Sequence, residues 1–449
     1  MQVSIETMTG LERRLTIGVP AERVDQEVNK RLQKVASSAR LDGFRPGKVP
    51  MKVLQQRFGS GVRQEVIGEV INQTFYEAVV KEALQPAGQP TIEPREMAPG
   101  KDLKYVATFE VYPEVVLQDL SGIVVDKLVA EVTEADIDKM IETFRKQQAS
   151  FDVVERPAAA GDQVNIDYEG LRDGEPFAGG SASGTDLQLG SGRMIPGFEA
   201  GIEGMQAGDE KTLALTFPED YHNEDLKGAA VEFKIKVNSV ASARLPELNE
   251  EFFARYGVNS GGLEAFRSEV AGNMQRELNK AVAGKLKEQV MEQLVKIHDV
   301  PLPAALVASE VEALRNQMVQ QFGQAAGKFD ASFLPDDLFR DQAVRRVELG
   351  LILGELIRRD KLEADPDKVR AKVEELAAAY QDPEEVVNYY YGNKELLNSV
   401  RSAVLEDAAV NKVVAAARVT EVPVSYEQAL APSVPAQDAG ADEAAAPGE

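Results

Sequence analysis

The chain of 449 residues contains no cysteine and no tryptophan, and only two histidines, His222 and His298. Without thiols there is no disulfide, no thiolate zinc site and no cysteine nucleophile, and two histidines do not make a histidine-rich metal cluster. Also missing is any run approaching the roughly 20 apolar residues that a membrane helix needs. The N-terminal Met-Gln-Val-Ser-Ile-Glu-Thr lacks the basic, apolar and small-residue regions of a secretory signal. No Gly-x-x-x-x-Gly-Lys-Ser/Thr loop is present to cradle a nucleotide phosphate. These absences point to a soluble, cytoplasmic chain that calls for no cofactor, no bound metal and no membrane. Its length predicts two to four domains, and 43% hydrophobic residues suffice to fill their cores.

Charge is abundant but unevenly placed. The formal net charge is −24, yet residues 1–112 hold 16 basic and 14 acidic side chains, so the excess acid lies beyond them. Residues 30–63 carry nine cations (Lys30, Arg31, Lys34, Arg40, Arg45, Lys48, Lys52, Arg57 and Arg63) against one acid, Asp42. Within that stretch, Gly43-Phe44-Arg45-Pro46-Gly47-Lys48-Val49-Pro50 sets a bare aromatic beside two cations, between glycines and prolines. This reads as a docking tip for a polyanionic partner.

Periodicity divides the chain. Val3 and Ile5, then Leu15, Ile17 and Val19, predict two strands joined by a Thr9-Gly10 turn. Val24, Val28, Leu32 and Val35, then Val62, Val66, Val70, Phe75 and Val79, have helical spacing. Leu103, Tyr105, Ala107, Phe109 and Val111 return to a strand, so residues 1–112 read as one α+β domain. In residues 113–149, Thr133-Glu134-Ala135-Asp136 starts a helix whose Ile137, Met140, Ile141 and Phe144 lack a local partner. Residues 150–245 shift to period two with many glycine turns, as in Val164, Ile166 and Tyr168, Leu213, Leu215 and Phe217, and Val231, Phe233, Ile235 and Val237. From 246 to 430 the pattern is helical, including one long helix from Leu263 through Val290 to Ile297 that Pro301 and Pro303 end. The helix near 133 is expected to pack with this region, which makes the β-rich segment an insertion. The acidic, Ala/Pro/Gly-rich residues 431–449 are expected to be disordered.

The densest motif is Leu189-Gly190-Ser191-Gly192-Arg193-Met194-Ile195-Pro196-Gly197-Phe198-Glu199-Ala200-Gly201-Ile202, after Tyr168-Glu169-Gly170 and Asp173-Gly174-Glu175-Pro176-Phe177. In residues and order it resembles the FKBP-type prolyl isomerases. That resemblance implies a pocket with Tyr168 and Phe177 as walls, Met194 and Ile195 at the rim, the Ile195 N–H as a donor, Phe198 as floor, and Tyr221 and Phe233 on the far side. The chemistry suits aromatics rather than acids and bases. Rotating an X-Pro bond breaks no covalent bond, and its barrier of about 18–20 kcal/mol is largely amide resonance. A twisted imide is less polar than a planar one, so a dry apolar pocket with one or two donors favours the transition state. Departures from the family include Ala178 where an acid often follows the phenylalanine, Leu187 at a usual aromatic, Phe198 for the common tryptophan, and His222-Asn223 without a second tyrosine. The paired acids Glu219-Asp220 and Glu224-Asp225 read as a solvated loop.

Taken whole, a Gly-Phe-Arg-x-Gly-Lys-x-Pro loop in an α+β domain, an inserted FKBP-like domain and long all-α C-terminal arms resemble the trigger factor family of ribosome-associated chaperones. The resemblance implies an α+β multidomain fold and an ATP-independent chaperone of nascent and unfolded polypeptides with peptidyl-prolyl isomerase activity. It implies docking through Phe44, Arg45 and Lys48 on the large ribosomal subunit near the polypeptide exit, with a homodimer as a state of the free protein. Pro46 replaces a cation that the family often carries. Met274, Met291, Met318, Phe322, Phe329, Phe333, Tyr389, Tyr390 and Tyr391 offer apolar contacts on the arms, most of them expected to be core. Two other readings stay open: a stand-alone FKBP-type isomerase with a helical dimerisation or substrate-selection region, and a nucleic-acid adaptor built on an inactive isomerase scaffold.

Overall fold

The computed structural model describes residues 1–38, 44, 50–221, 223–326, 334–378, 380 and 382–432. Arg45, Pro46, Lys48, His222, Phe329, Phe333 and the tail from 433 therefore lie outside the described residues. In chain order the first elements are β1 (Gln2–Thr7), β2 (Glu12–Val19), α1 (Ala21–Ser38), α2 (Met51–Lys81), β3 (Thr91–Glu96) and β4 (Leu103–Glu110). Next come β5 (Val124–Val129), α3 (Glu134–Gln147), β6 (Ser150–Val154), β7 (Gln163–Arg172), β8 (Glu175–Gln188), α4 (Phe198–Ile202), β9 (Glu210–Thr216) and β10 (Ala230–Arg244). The remainder is α5 (Glu250–Arg255), α6 (Gly262–Ile297), α7 (Ala304–Ala326), α8 (Asp337–Asp360), α9 (Pro366–Ala377), α10 (Pro383–Gly392), α11 (Lys394–Ala416), β11 (Arg418–Pro423) and α12 (Tyr426–Leu430). Among the described residues no helix is long and apolar enough to cross a membrane.

The chain divides into two compact units, one of Met1–Lys127 and Gly284–Val422, the other of Leu128–Ala283 and Pro423 onward. In the first, β1-β2-β4-β3 form an antiparallel sheet. Alternation puts Leu15, Ile17, Val19, Leu103, Tyr105 and Phe109 on one face, where the helical stripe of Val62, Val66, Val70, Phe75 and Val79 covers them. Pro94 sits in β3, an edge strand, where its missing N–H costs no central ladder bond. The same unit holds a helical core of Val290, Leu294, Ile352, Leu356, Val410 and Val413 around Leu120 and Ile123. His298 is buried there, its Nε2 accepting the Gln118 N–H (3.0 Å) while Nδ1 lies 2.7 Å from the Leu294 carbonyl.

The cations of residues 30–63 meet acids brought from outside that stretch. Lys30 pairs with Glu27, Arg31 with Glu65 and Glu69, and Arg63 with Asp25. Three of the nine cations of that stretch are thereby paired, Arg31 and Arg63 with acids of the other helix and Lys30 within α1.

In the second unit a capping box starts α3, with Thr133 accepting the Asp136 N–H and Asp136 accepting the Thr133 N–H. Ile137 and Ile141 then pack with Phe252, Phe253, Phe266, Val270, Met274 and Tyr426. The helical partner that α3 requires is thus supplied by α5, the first half of α6, and α12.

Several arm side chains read from the sequence are core. Met274 is buried, and Met291, Met318 and Tyr390 pack against apolar clusters, whereas Tyr389 and Tyr391 are exposed.

Candidate active site

The isomerase-like region is built on one long strand. β10 pairs with β7 along one edge, and on the other with β9 over its first half and β6 over its last residues. Its inward residues Val231, Phe233, Ile235 and Val237 are buried, a bulge between Val237 and Ser239 shifts the register, and Val240 resumes the core. Helix α4 lays Phe198 and Ile202 on this face. Gly197 supplies the left-handed turn into α4, with φ of +88°.

Strand β8 is the element that the sequence obscures. Its Gly179-Gly180-Ser181-Ala182-Ser183-Gly184 reads as turns, yet it pairs with β7 through two register shifts. The glycines have steric work there. A Cβ on Gly180 would lie 2.7 Å from the Phe177 ring, and one on Gly170 would lie 2.7 Å from Phe177 and 2.8 Å from Phe233.

These elements enclose a cavity of about 450 Å³ lined by Tyr168, Phe177, Met194, Ile195, Phe198, Tyr221 and Phe233, the seven side chains singled out from the sequence. Phe217, Pro218, Asn223 and Leu226 join them. Of these Phe217 was legible only as an alternating strand residue, because its role depends on the turn after β9. Phe233 is the hub, with ring centroids 5.2 Å from Phe198, 6.0 Å from Phe177 and 6.2 Å from Tyr168, all near edge-to-face. Phe217 bridges Phe177 and Tyr221 at 6.0 and 4.6 Å.

No carboxylate and no histidine lines the cavity among the described residues; its charged member is Arg193. Ala178 lies on the wall beside Phe177 and presents a methyl group there. At the rim the Ile195 N–H donates to no protein acceptor among the described residues, while the Ile195 carbonyl takes the Phe198 N–H at 3.1 Å. The arrangement offers a flat apolar floor, aromatic walls and one backbone donor.

A sheet of this topology crossed by a short helix, with an aromatic cavity between them, defines an FKBP-type prolyl isomerase domain. Residues 154–238 match the model described as FKBP-type peptidyl-prolyl cis-trans isomerase, residues 1–144 that of bacterial trigger factor protein, and residues 262–415 that of its C-terminus. The chain is 55% identical over 431 residues to the trigger factor of Cellvibrio japonicus, covering 96% of this chain and 99% of that one. It is also 55% identical over 433 residues to the trigger factor of Stutzerimonas stutzeri, with the same coverage of 96% and 99%. A solved structure described as "Promiscuous Substrate Recognition in Folding and Assembly Activities of the Trigger Factor Chaperone" shares the fold, with a TM-score of 0.51 at 19% identity over 92% of this chain and 99% of that one.

The chain belongs to the trigger factor family. It is an ATP-independent, ribosome-associated chaperone of nascent polypeptides with an FKBP-type peptidyl-prolyl isomerase domain. The full-length match takes in the helical arms, so the stand-alone isomerase reading is not favoured.

Proposed function

We propose that the aromatic cavity is where X-Pro bonds are rotated, with Phe198 and Phe233 beneath the proline ring, Tyr168 and Phe177 as walls, and Met194, Ile195 and Tyr221 at the rim. The observation that carries this reading is that all seven side chains line one cavity with no carboxylate among its described lining. The planar imide loses solvation on entering, and the less polar twisted form loses less, which lowers the barrier. The Ile195 N–H holds the carbonyl of the residue before proline. Phe198→Leu keeps apolar volume but removes the flat ring. It is expected to slow proline-limited refolding of a small client by about tenfold, equivalent to about 1.4 kcal/mol of lost transition-state stabilisation, while aggregation suppression persists. Unchanged isomerisation would remove the site.

The domain reading is residues 1–112 for ribosome binding, 113–149 as linker and packing helix, 150–245 as isomerase, 246–430 as chaperone arms and 431–449 as tail. Docking is assigned to Phe44, Arg45 and Lys48, on the large ribosomal subunit near the polypeptide exit. It is supported by the exposure of Phe44, 39% open to solvent in the segment between α1 and α2. Arginine gives bidentate phosphate contacts, lysine a point charge, and a bare phenylalanine fills an apolar niche. The protein acts in the cytoplasm and forms a homodimer when free of ribosomes; sedimentation equilibrium that returns only monomer mass at micromolar concentration would reject the dimer.

A further inference from the structure

Among the described residues, two carboxylates are buried, Asp162 and Glu199. Asp162 is matched by the Arg156 guanidinium at 2.6 and 2.9 Å. Glu199 has no ion-pair partner among the described residues. Its Oε2 accepts the N–H groups of Gly190 (2.7 Å) and Gly192 (3.1 Å), and its Oε1 those of Arg193 (3.0 Å) and Met194 (3.3 Å) together with the Ser191 hydroxyl (3.0 Å). The one remaining amide of this loop, Ser191 N–H, goes to the Gln188 carbonyl at 3.3 Å. Gly190 and Gly192 have φ of +86° and +67°, the left-handed turns that aim successive N–H groups into one concavity. Every backbone donor of residues 190–194 is thus fixed, four of them by a single side chain.

We propose that Glu199 is a positioning residue for the isomerase reaction, its carboxylate holding residues 190–194 in the shape that presents Met194 and the Ile195 N–H to the bound proline. The proposal rests on the reading of the aromatic cavity as the isomerase site. Two links connect the carboxylate to that site. Glu199 follows the floor residue Phe198 on α4, and the loop it gathers ends on Met194 and Ile195, which line the cavity. Floor and donor are thereby tied to one anchor. Burial alone would favour the neutral acid, but the gathered donors outweigh it and hold Glu199 below the ordinary glutamate range. No ion pair to Glu199 is seen among the described residues: Arg193 lines the cavity, Lys211 bonds the Gly201 carbonyl at 2.9 Å, and Arg156 is paired with Asp162. A neutral amide at position 199 keeps one acceptor and turns an NH₂ toward N–H donors, so part of the loop must open.

The test uses the full-length chain with Glu199→Gln, Ser191→Ala and Phe198→Leu in parallel. It measures kcat/KM on a proline-containing tetrapeptide and hydrogen exchange resolved to residues 190–194, β7 and β10. Glu199→Gln is expected to lower kcat/KM by about tenfold or more and to speed exchange in 190–194, with β7 and β10 unchanged, because hydrogen bonds to a charged acceptor are stronger than those to a neutral one. Ser191→Ala removes one donor and is expected to cost about two- to threefold. Turnover within twofold of wild type despite a loosened loop overturns the proposal. If Glu199→Gln unfolds the domain, seen as fast exchange in β7 and β10, Ser191→Ala decides: reduced turnover with exchange faster only in 190–194 supports the proposal, and unchanged turnover overturns it. Full activity in Phe198→Leu overturns the site reading, whereas loss there with full activity in Glu199→Gln overturns the positioning role alone.

Discussion

At the scale of single residues, the missing side chains shape the site as much as the aromatics do. Gly170 and Gly180 give Phe177 its place, since a Cβ on either would stand 2.7 Å from the ring. Gly170→Ala is expected to displace the Phe177 and Phe233 rings and destabilise the isomerase domain by about 1–3 kcal/mol. Urea unfolding and the tetrapeptide assay check this, and wild-type activity would contradict the packing. In the N-terminal sheet, Tyr105 is fully buried, its hydroxyl donating to the Ile71 carbonyl at 3.1 Å beside the Thr74 hydroxyl at 2.8 Å. Burial pushes this phenol up to about 12. Its folded pKa is raised, so its stabilisation is complete below the ordinary tyrosine value near pH 10 and is lost as pH rises from there to about 12. Urea midpoints of wild type are expected to fall across that window, and Tyr105→Phe is expected to flatten part of the slope while weakening the protein near neutral pH.

At the scale of elements, local signals matched wherever one residue pattern dictates one structure. Thr133 and Asp136 form the capping box that their spacing predicts, and Thr133→Ala is expected to cost about 1 kcal/mol of stability; a change below about 0.3 kcal/mol would mean that packing of Ile137 and Ile141 alone fixes α3. The length of α6, 36 residues, was legible because Phe266, Val270, Met274, Leu278, Val290 and Leu294 keep helical spacing along most of it. What stayed hidden has physical causes. β8 has glycines and serines where a strand would show alternation, and it is held by pairing with β7. β3 contains Pro94, which only an edge strand tolerates. α10 buries no residue fully, and α5 and α12 are single short turns whose caps, Asn249 and Ser425, are weak signals alone. The cavity lining was readable because seven residues keep family order, whereas the anchoring by Glu199 required the folded loop.

At the scale of the whole molecule, the cations of residues 30–63 divide into those that are ion-paired and those that are not. Once Lys30, Arg31 and Arg63 are paired, Lys52 and Arg57 carry no ion pair among the described residues, and Phe44 stands exposed between them and α1. In the proposed docking, Arg45 and Lys48 add two cations to Lys52 and Arg57. Phe198→Leu is expected to leave ribosome binding unchanged, and the loop variant to leave tetrapeptide turnover unchanged. The most direct measurement is ribosome co-sedimentation across a salt series with wild type and the Phe44→Ala, Arg45→Ala, Lys48→Ala triple variant. Wild type is expected to co-sediment at physiological salt and the triple variant not to, with the slope of log affinity against log salt shallower by about 1.4–1.8 for two lost phosphate contacts. Co-sedimentation of the triple variant equal to wild type at physiological salt would contradict it.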